Sequence, residues 1–229
     1  MDIVDSDLKK FAAAILAGGR AVRYNGTQKG LLEVEPGVSI MAALLEKTAS
    51  SGVGEVAILA NNPAPYASFG VPILPDLRNG IGPIGGIEAG LAHYAGLYQA
   101  ILFVPCDLPG MTGEVLRELL RVFLASEARV VFAQVRDSFM HPLCAVMRND
   151  ALDALVRNID EGNHKVMDIW RKLGAIPVRF DDPAPFFNVN TPNDMALWRA
   201  ERTGRDKIML QVGGWNARPL IAAHGLESH

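Results

Sequence analysis

Short apolar runs, several rich in β-branched residues, alternate along this chain with segments of helical period, and no other feature restricts its possible folds as strongly. Parallel strands can be joined only through a crossover, so a strand-helix-strand rhythm is how a mostly parallel sheet shows itself in one dimension. The pattern predicts strands over 11–16, 55–60, 71–74, 100–105, 129–134, 143–147 and 176–179. Helices are predicted over 39–50, 87–94, 112–124, 150–160, 165–173 and 192–202. The last of these has the clearest signals: Thr191 as N-cap, Pro192 at the first helical position, Asp194 near the positive end of the dipole and Gly204 as a stop. With 229 residues, 49% of them hydrophobic, there is material for one large core. Residues 1–204 are expected to form a single α/β domain, and 205–229 a C-terminal tail without clear period.

The formal net charge of −3 provides no global basic field, which disfavours nucleic acid and anionic membranes as partners. An anion site, if present, must be locally basic. Cys106 and Cys144 are far apart and form no CxxC pair, so neither a disulfide framework nor a zinc knuckle is indicated. Buried packing is the expected role of both, and a cytoplasmic location fits. The stretch from Lys9 to Ala17 imitates a signal peptide, but its apolar run is short and leads straight into Gly18-Gly19-Arg20, which favours a buried strand. No run approaches the roughly 20 apolar residues that cross a bilayer.

The segment Leu16-Ala17-Gly18-Gly19-Arg20-Ala21-Val22-Arg23-Tyr24-Asn25-Gly26-Thr27-Gln28-Lys29 follows the first predicted strand, where an α/β protein places a phosphate loop. Paired glycines let backbone N–H groups approach phosphate oxygens, and Arg20, Arg23 and Lys29 add positive charge. No acidic residue lies between Asp7 and Glu33 to compensate it. The spacing is neither that of a Walker loop nor that of the dinucleotide fingerprint. A Gly-rich turn with solvated basic side chains is the alternative reading.

Further along, Val104-Pro105-Cys106-Asp107-Leu108-Pro109 ends an apolar run with an acid, which puts Asp107 at the carboxyl end of a strand. Asp107 is the candidate ligand for a magnesium ion that would offset triphosphate charge; capping the helix near Thr112 is its structural alternative. Asp76 and the Gly-rich passage Gly80-Ile81-Gly82-Pro83-Ile84-Gly85-Gly86-Ile87 could surround a base or ribose, or form a plain loop. His141, before Pro142, could reach a second substrate or serve as a structural histidine at a strand start. Asn188 and Asn190 alternate with Val189, so an extended backbone turns both amides to one face; local bonding around Thr191 is the competing role.

Taken in order, GG-x3-R-x2-G-x2-K, Asp76 with Gly82-Pro83-Ile84-Gly85-Gly86, Pro105-Cys106-Asp107-Leu108-Pro109, His141-Pro142 and Asn188-Val189-Asn190-Thr191-Pro192 resemble the molybdenum cofactor guanylyltransferases over about Phe11 to Trp198. The resemblance implies a three-layer α/β/α fold of the nucleotide-diphospho-sugar-transferase type and transfer of GMP from GTP to the terminal phosphate of molybdopterin, with Mg2+ as cofactor. It further implies that Leu16, Ala17, Gly18 and Gly19 line the nucleotide, with Asn61, Asp76 and Gly82 around the guanosine. Lys29 would contact phosphate, Asp107 would hold the metal, and Arg23, His141, Asn188 and Asn190 would face the pterin substrate, with Lys29, Asp107 and Arg23 serving catalysis. Tyr24-Asn25 stands where such enzymes often have Met-Gly. Other cofactor-assembly proteins are possible partners, and a monomer or weak homo-oligomer is expected. A cytidylyltransferase for molybdopterin, a sugar-phosphate nucleotidyltransferase and a non-catalytic nucleotide-binding adaptor are the competing functions.

Overall fold

The first apolar run, Phe11–Leu16 (β1), is buried at every position and becomes a central strand in the computed structural model, which describes residues 5–18, 28–137 and 139–211. A helical turn, Asp5–Leu8 (α1), precedes it. There follow a hairpin of Glu33–Glu35 (β2) and Val38–Ser39 (β3), then Ile40–Ala49 (α2), Glu55–Leu59 (β4), Ile73–Leu74 (β5) and Pro83–His93 (α3). The second half contains Ala100–Pro105 (β6), Gly113–Leu124 (α4), Val130–Val135 (β7), Phe139–Arg148 (β8), Leu152–Asp160 (α5), Val166–Lys172 (α6), Ile176–Phe180 (β9) and Pro192–Gln211 (α7).

Seven strands join in the order β5-β4-β1-β6-β8-β7-β9. β1 pairs in parallel with both β4 and β6, β5 with β4, and β9 with β7. Only β8 opposes its neighbours, running antiparallel to β6 and β7. The sheet is therefore mostly parallel, as expected. Alternation along β1 separates the two cores: Phe11, Ala13 and Ile15 join the cluster that includes Leu44 and Leu116, whereas Ala12, Ala14 and Leu16 join the one with Ile87 and Leu155. Helices α2 and α4 thus cover one face and α3 and α5 the other, giving three layers.

The helices form for local reasons and stay for packing. In α4, Thr112 Oγ1 accepts from Val115 N at 3.3 Å, and Val115, Leu116, Leu119, Leu120 and Phe123 make one buried stripe. Burial of each such side chain contributes roughly 1.5–3 kcal/mol, more than the cap does. In α7, Thr191 Oγ1 accepts from Asp194 N at 3.2 Å while Asp194 Oδ2 accepts from Asn190 N and Thr191 N at 2.9 and 2.8 Å, a reciprocal cap.

Several elements differ from the sequence expectation. The α3 helix begins at Pro83, not 87, with Gly82 at its N-cap at φ 74°; proline at a first helical position was the available signal. β8 begins at Phe139, not 143, because the register shift between Phe132 and Ala133 accommodates Pro142, which has no N–H for the ladder. A β2–β3 hairpin adds to the expected elements, with Pro36-Gly37, Gly37 at φ 75°, at its turn. Gly204 does not stop α7, which continues to Gln211. A lone glycine costs a helix about 1 kcal/mol relative to alanine, and Arg205-Asp206-Lys207-Ile208-Met209-Leu210 contains no proline to end it.

Candidate active site

Sheet order positions the site. From β1 the chain moves outward through β4 to β5, then returns to β6 on the other side of β1. The crevice beyond the carboxyl ends of β1 and β6 is where an open α/β sheet receives its ligand. A cleft of about 990 Å³ lies there, lined by Leu16, Ala17, Gly18, Gln28, Lys29, Asn61, Tyr66, Asp76, Gly80, Gly82, Cys106 and Asp107 among others. The strand ends are held rigidly: Ala17 N donates to Leu59 O at 2.9 Å and Cys106 N to Leu16 O at 3.0 Å.

At one part of this cleft, three distant segments meet. Lys29, in a 3-10 turn at Lys29–Leu31, sends Nζ to Asn190 Oδ1 at 2.6 Å and stands 3.8 Å from Asp107 Oδ2. Asn188 donates to the Asp107 carboxylate, and Val189 N donates to Asp107 O at 2.8 Å. The Asn188-Val189-Asn190 segment thus lies along the end of β6, with Val189 buried and both amides turned to the acid and the ammonium. Asp107 does not cap α4, since Thr112 does. Burial pushes the Asp107 carboxyl above its ordinary value, partly offset by the Lys29 charge, backbone N–H and Asn188.

Elsewhere in the cleft, Asn61 and Asp76 lock each other: Asn61 Nδ2 donates to Asp76 Oδ2 and Asp76 N to Asn61 Oδ1, both at 2.8 Å. The first turn of α3 passes close by. A Cβ on Gly86 would come 3.1 Å from Leu16 Cδ2 and 3.4 Å from Asp76 Oδ1, so glycine lets this helix approach the β1 terminus.

His141 lies beside this site within β8, its ring 4.9 Å from that of Phe186. Burial lowers its pKa and the Asp107 charge opposes that shift. Both cysteines are free thiols in buried positions, with burial pushing each up to about 12. Gly19, Arg20 and Arg23 lie outside the described residues. Sequence reasoning missed Tyr66, a buried cleft residue on the 3-10 segment Ala64–Phe69, for which no local motif gives a signal. Gln28 was missed too, although it adjoins Lys29 in the quoted loop.

Among the described residues no group of three His, Cys, Asp or Glu side chains could enclose a metal ion. A lone carboxylate suits a magnesium ion that takes its remaining ligands from water and substrate phosphates. An open, mostly parallel sheet with lysine and aspartate facing across a cleft at its switch point defines the nucleotide-binding α/β class. Its fold is that of a Methanothermobacter thermautotroptrophicus nucleotidyl transferase, with a TM-score of 0.66 at 17% identity over 85% of this chain and 98% of that one. Residues 13–176 match the MobA-like NTP transferase domain, and the chain belongs to that family of nucleotidyltransferases. It is 30% identical over 194 residues to a molybdenum cofactor guanylyltransferase of Yersinia pestis (strain Pestoides F), covering 83% of this chain and 96% of the relative. The fold is also that of a molybdopterin-guanine dinucleotide biosynthesis protein A from Archaeoglobus fulgidus, with a TM-score of 0.69 at 24% identity over 84% of this chain and 99% of that one.

Proposed function

We propose that this protein transfers the GMP part of GTP to the terminal phosphate of molybdopterin, releasing pyrophosphate and forming molybdopterin guanine dinucleotide. The observation that carries the reading is that Lys29 and Asp107, bonded to Asn190 and Asn188 respectively, line the same cleft as Asn61 and Asp76. Asn61, Asp76 and Gly82 hold the guanosine, with Leu16, Ala17 and Gly18 beneath it. Lys29 leaves Asn190 for the triphosphate, and the freed Asn190 amide, with Asn188, faces the second substrate. His141 borders that same side; from the sequence alone, Arg23 is assigned to the second substrate and Gly19 to the nucleotide. A phosphate oxygen of molybdopterin bonds to the α-phosphorus as the α–β phosphoanhydride bond breaks, and the electron pair leaves with pyrophosphate. No protein nucleophile is needed, because the attacking group is already anionic, so catalysis is positioning and charge stabilisation. Asp107 would hold a magnesium ion, which would supply neutralisation of the polyphosphate charge.

The relatives' name supports guanine over other bases, and a cytoplasmic location accords with two free, buried thiols. The test is to incubate purified protein with each of the four common NTPs, magnesium and molybdopterin, and to follow pyrophosphate and dinucleotide. GTP alone should be consumed efficiently. Preferential consumption of CTP would replace this reading with cytidylyl transfer, and turnover independent of a divalent ion would remove the metal.

A further inference from the structure

Between Asp76 and α3 the chain forms a short loop that brings Gly80 and Gly82 to the cleft, both with positive φ (81° and 74°). Glycine loses more freedom on ordering than any other residue, so such a loop is costly to hold in one shape. Its two ends are fixed: Asp76 by Asn61, and Gly82 by the start of α3. The middle is held by Arg78, which is not among the residues lining the cleft. Arg78 Nε lies 3.0 Å from Glu88 Oε1 on α3, and its Nη1 lies 2.5 Å from Asp160 Oδ1 at the end of α5. The Glu88 side chain is only 5% exposed, and its Oε2 is buried without a hydrogen-bond partner. The loop backbone rests on the same helix, since Arg78 O is 3.0 Å from where a Cβ on Gly85 would stand.

We propose that Arg78, gripped by Glu88 and Asp160, is a positioning residue that pre-orders the 77–82 loop and thereby sets the affinity and base preference of the nucleotide site. The inference rests on the assignment of the Asn61–Asp76–Gly82 end of the cleft to the nucleoside. A planar guanidinium presents donors in a rigid fork and can hold two carboxylates on two helices at once, which an ammonium cannot do with the same fixed geometry. A loop ordered before the ligand arrives loses less entropy on binding, and its shape excludes bases that do not fit. A buried carboxylate left with one free oxygen is a costly feature for the fold, which a role at the cleft accounts for better than surface solubility does.

The test uses the double variant Arg78→Ala with Glu88→Gln, which removes both charges together so that no buried carboxylate is left bare. Calorimetric titration of wild type and variant with GTP, ATP, CTP and UTP gives affinity and base preference, and a melting curve checks folding. The Kd of the preferred nucleotide should rise about tenfold and the preference ratio should fall, with kcat at saturating nucleotide and the KM for the second substrate nearly unchanged. Arg78→Lys should recover part of the affinity, and Asp160→Asn, which leaves the Glu88 pair in place, should weaken binding in the same direction by a smaller factor. A folded double variant with wild-type Kd and wild-type preference overturns the clamp, as does Asp160→Asn indistinguishable from wild type. Should the wild type prefer CTP, the guanosine assignment fails instead, and the clamp is still judged by the loss of affinity for CTP.

Discussion

Asp107→Asn separates what the Asp107 carboxylate does for the reaction from what it does for the fold. Burial raises the Asp107 pKa above its unfolded value, so at neutral pH the ionised group opposes folding, and an amide of the same shape removes that penalty. That net penalty already includes the attraction to Lys29, 3.8 Å away with both side chains about a quarter exposed, a geometry worth roughly 0–1 kcal/mol. Replacing a functional residue held at such a cost commonly gains about 0.5–2 kcal/mol, and for a chain of this size each kcal/mol moves Tm by roughly 2–4 °C. Tm should therefore stay level or rise by a few degrees. If Asp107 holds the metal as proposed, its loss removes several kcal/mol of transition-state stabilisation, and about 4 kcal/mol corresponds to roughly a thousandfold in kcat/KM. Pyrophosphate release and scanning calorimetry on the same preparation read both quantities. A variant within tenfold of wild-type kcat/KM ends the metal assignment, and a Tm lower by more than about 5 °C refutes the claim that the carboxylate is held against the fold's preference.

Lys29→Ala should lower kcat/KM by about a hundredfold, the loss of one charge-assisted contact to phosphate, with the binding part visible as a higher nucleotide Kd; an unchanged Kd and rate would remove Lys29 from the site. Gly110→Ala should destabilise by roughly 1–3 kcal/mol, because its Cβ would come 2.7 Å from the Ala184 carbonyl oxygen, a backbone atom that cannot swing aside. Calorimetry checks this, and an unshifted Tm would contradict it. With both thiols raised to about 12, only about one part in ten thousand is thiolate at pH 8, so Cys106 and Cys144 should resist a disulfide reagent until the protein is unfolded. Rapid labelling of either in the folded state would contradict their burial.

The places where sequence and structure part company share a cause. Strands and helices were legible wherever a local signal was complete, as in the all-apolar run of β1, the Thr112 cap of α4 and the Thr191-Pro192-Asp194 start of α7. Gly204 misled because one unfavourable residue is outweighed by helix formers on both sides of it. β8 extends past the expected start because the bulge opposite Pro142, invisible in the sequence, lets the strand continue through it. In the site, Asp107 and Lys29 were recognisable as candidates, since an acid at a strand end and a lysine after paired glycines are local patterns. The Lys29–Asn190 bond was not legible, because its partners are 161 residues apart and nothing near either names the other. Neither was the Arg78–Glu88–Asp160 network, which needs α3 and α5 side by side.

Residue order alone determined that helices and strands would alternate, that a glycine-rich cationic loop would follow β1, and that an acid would end β6. Those are consequences of side-chain periodicity, backbone freedom and charge within a few residues of one another. Only the tertiary structure decided that β8 runs against its neighbours, that β6 returns beside β1 to open the cleft, and which amide receives the lysine. These depend on contacts between segments scores of residues apart, whose free energy exists only once the sheet has brought them together.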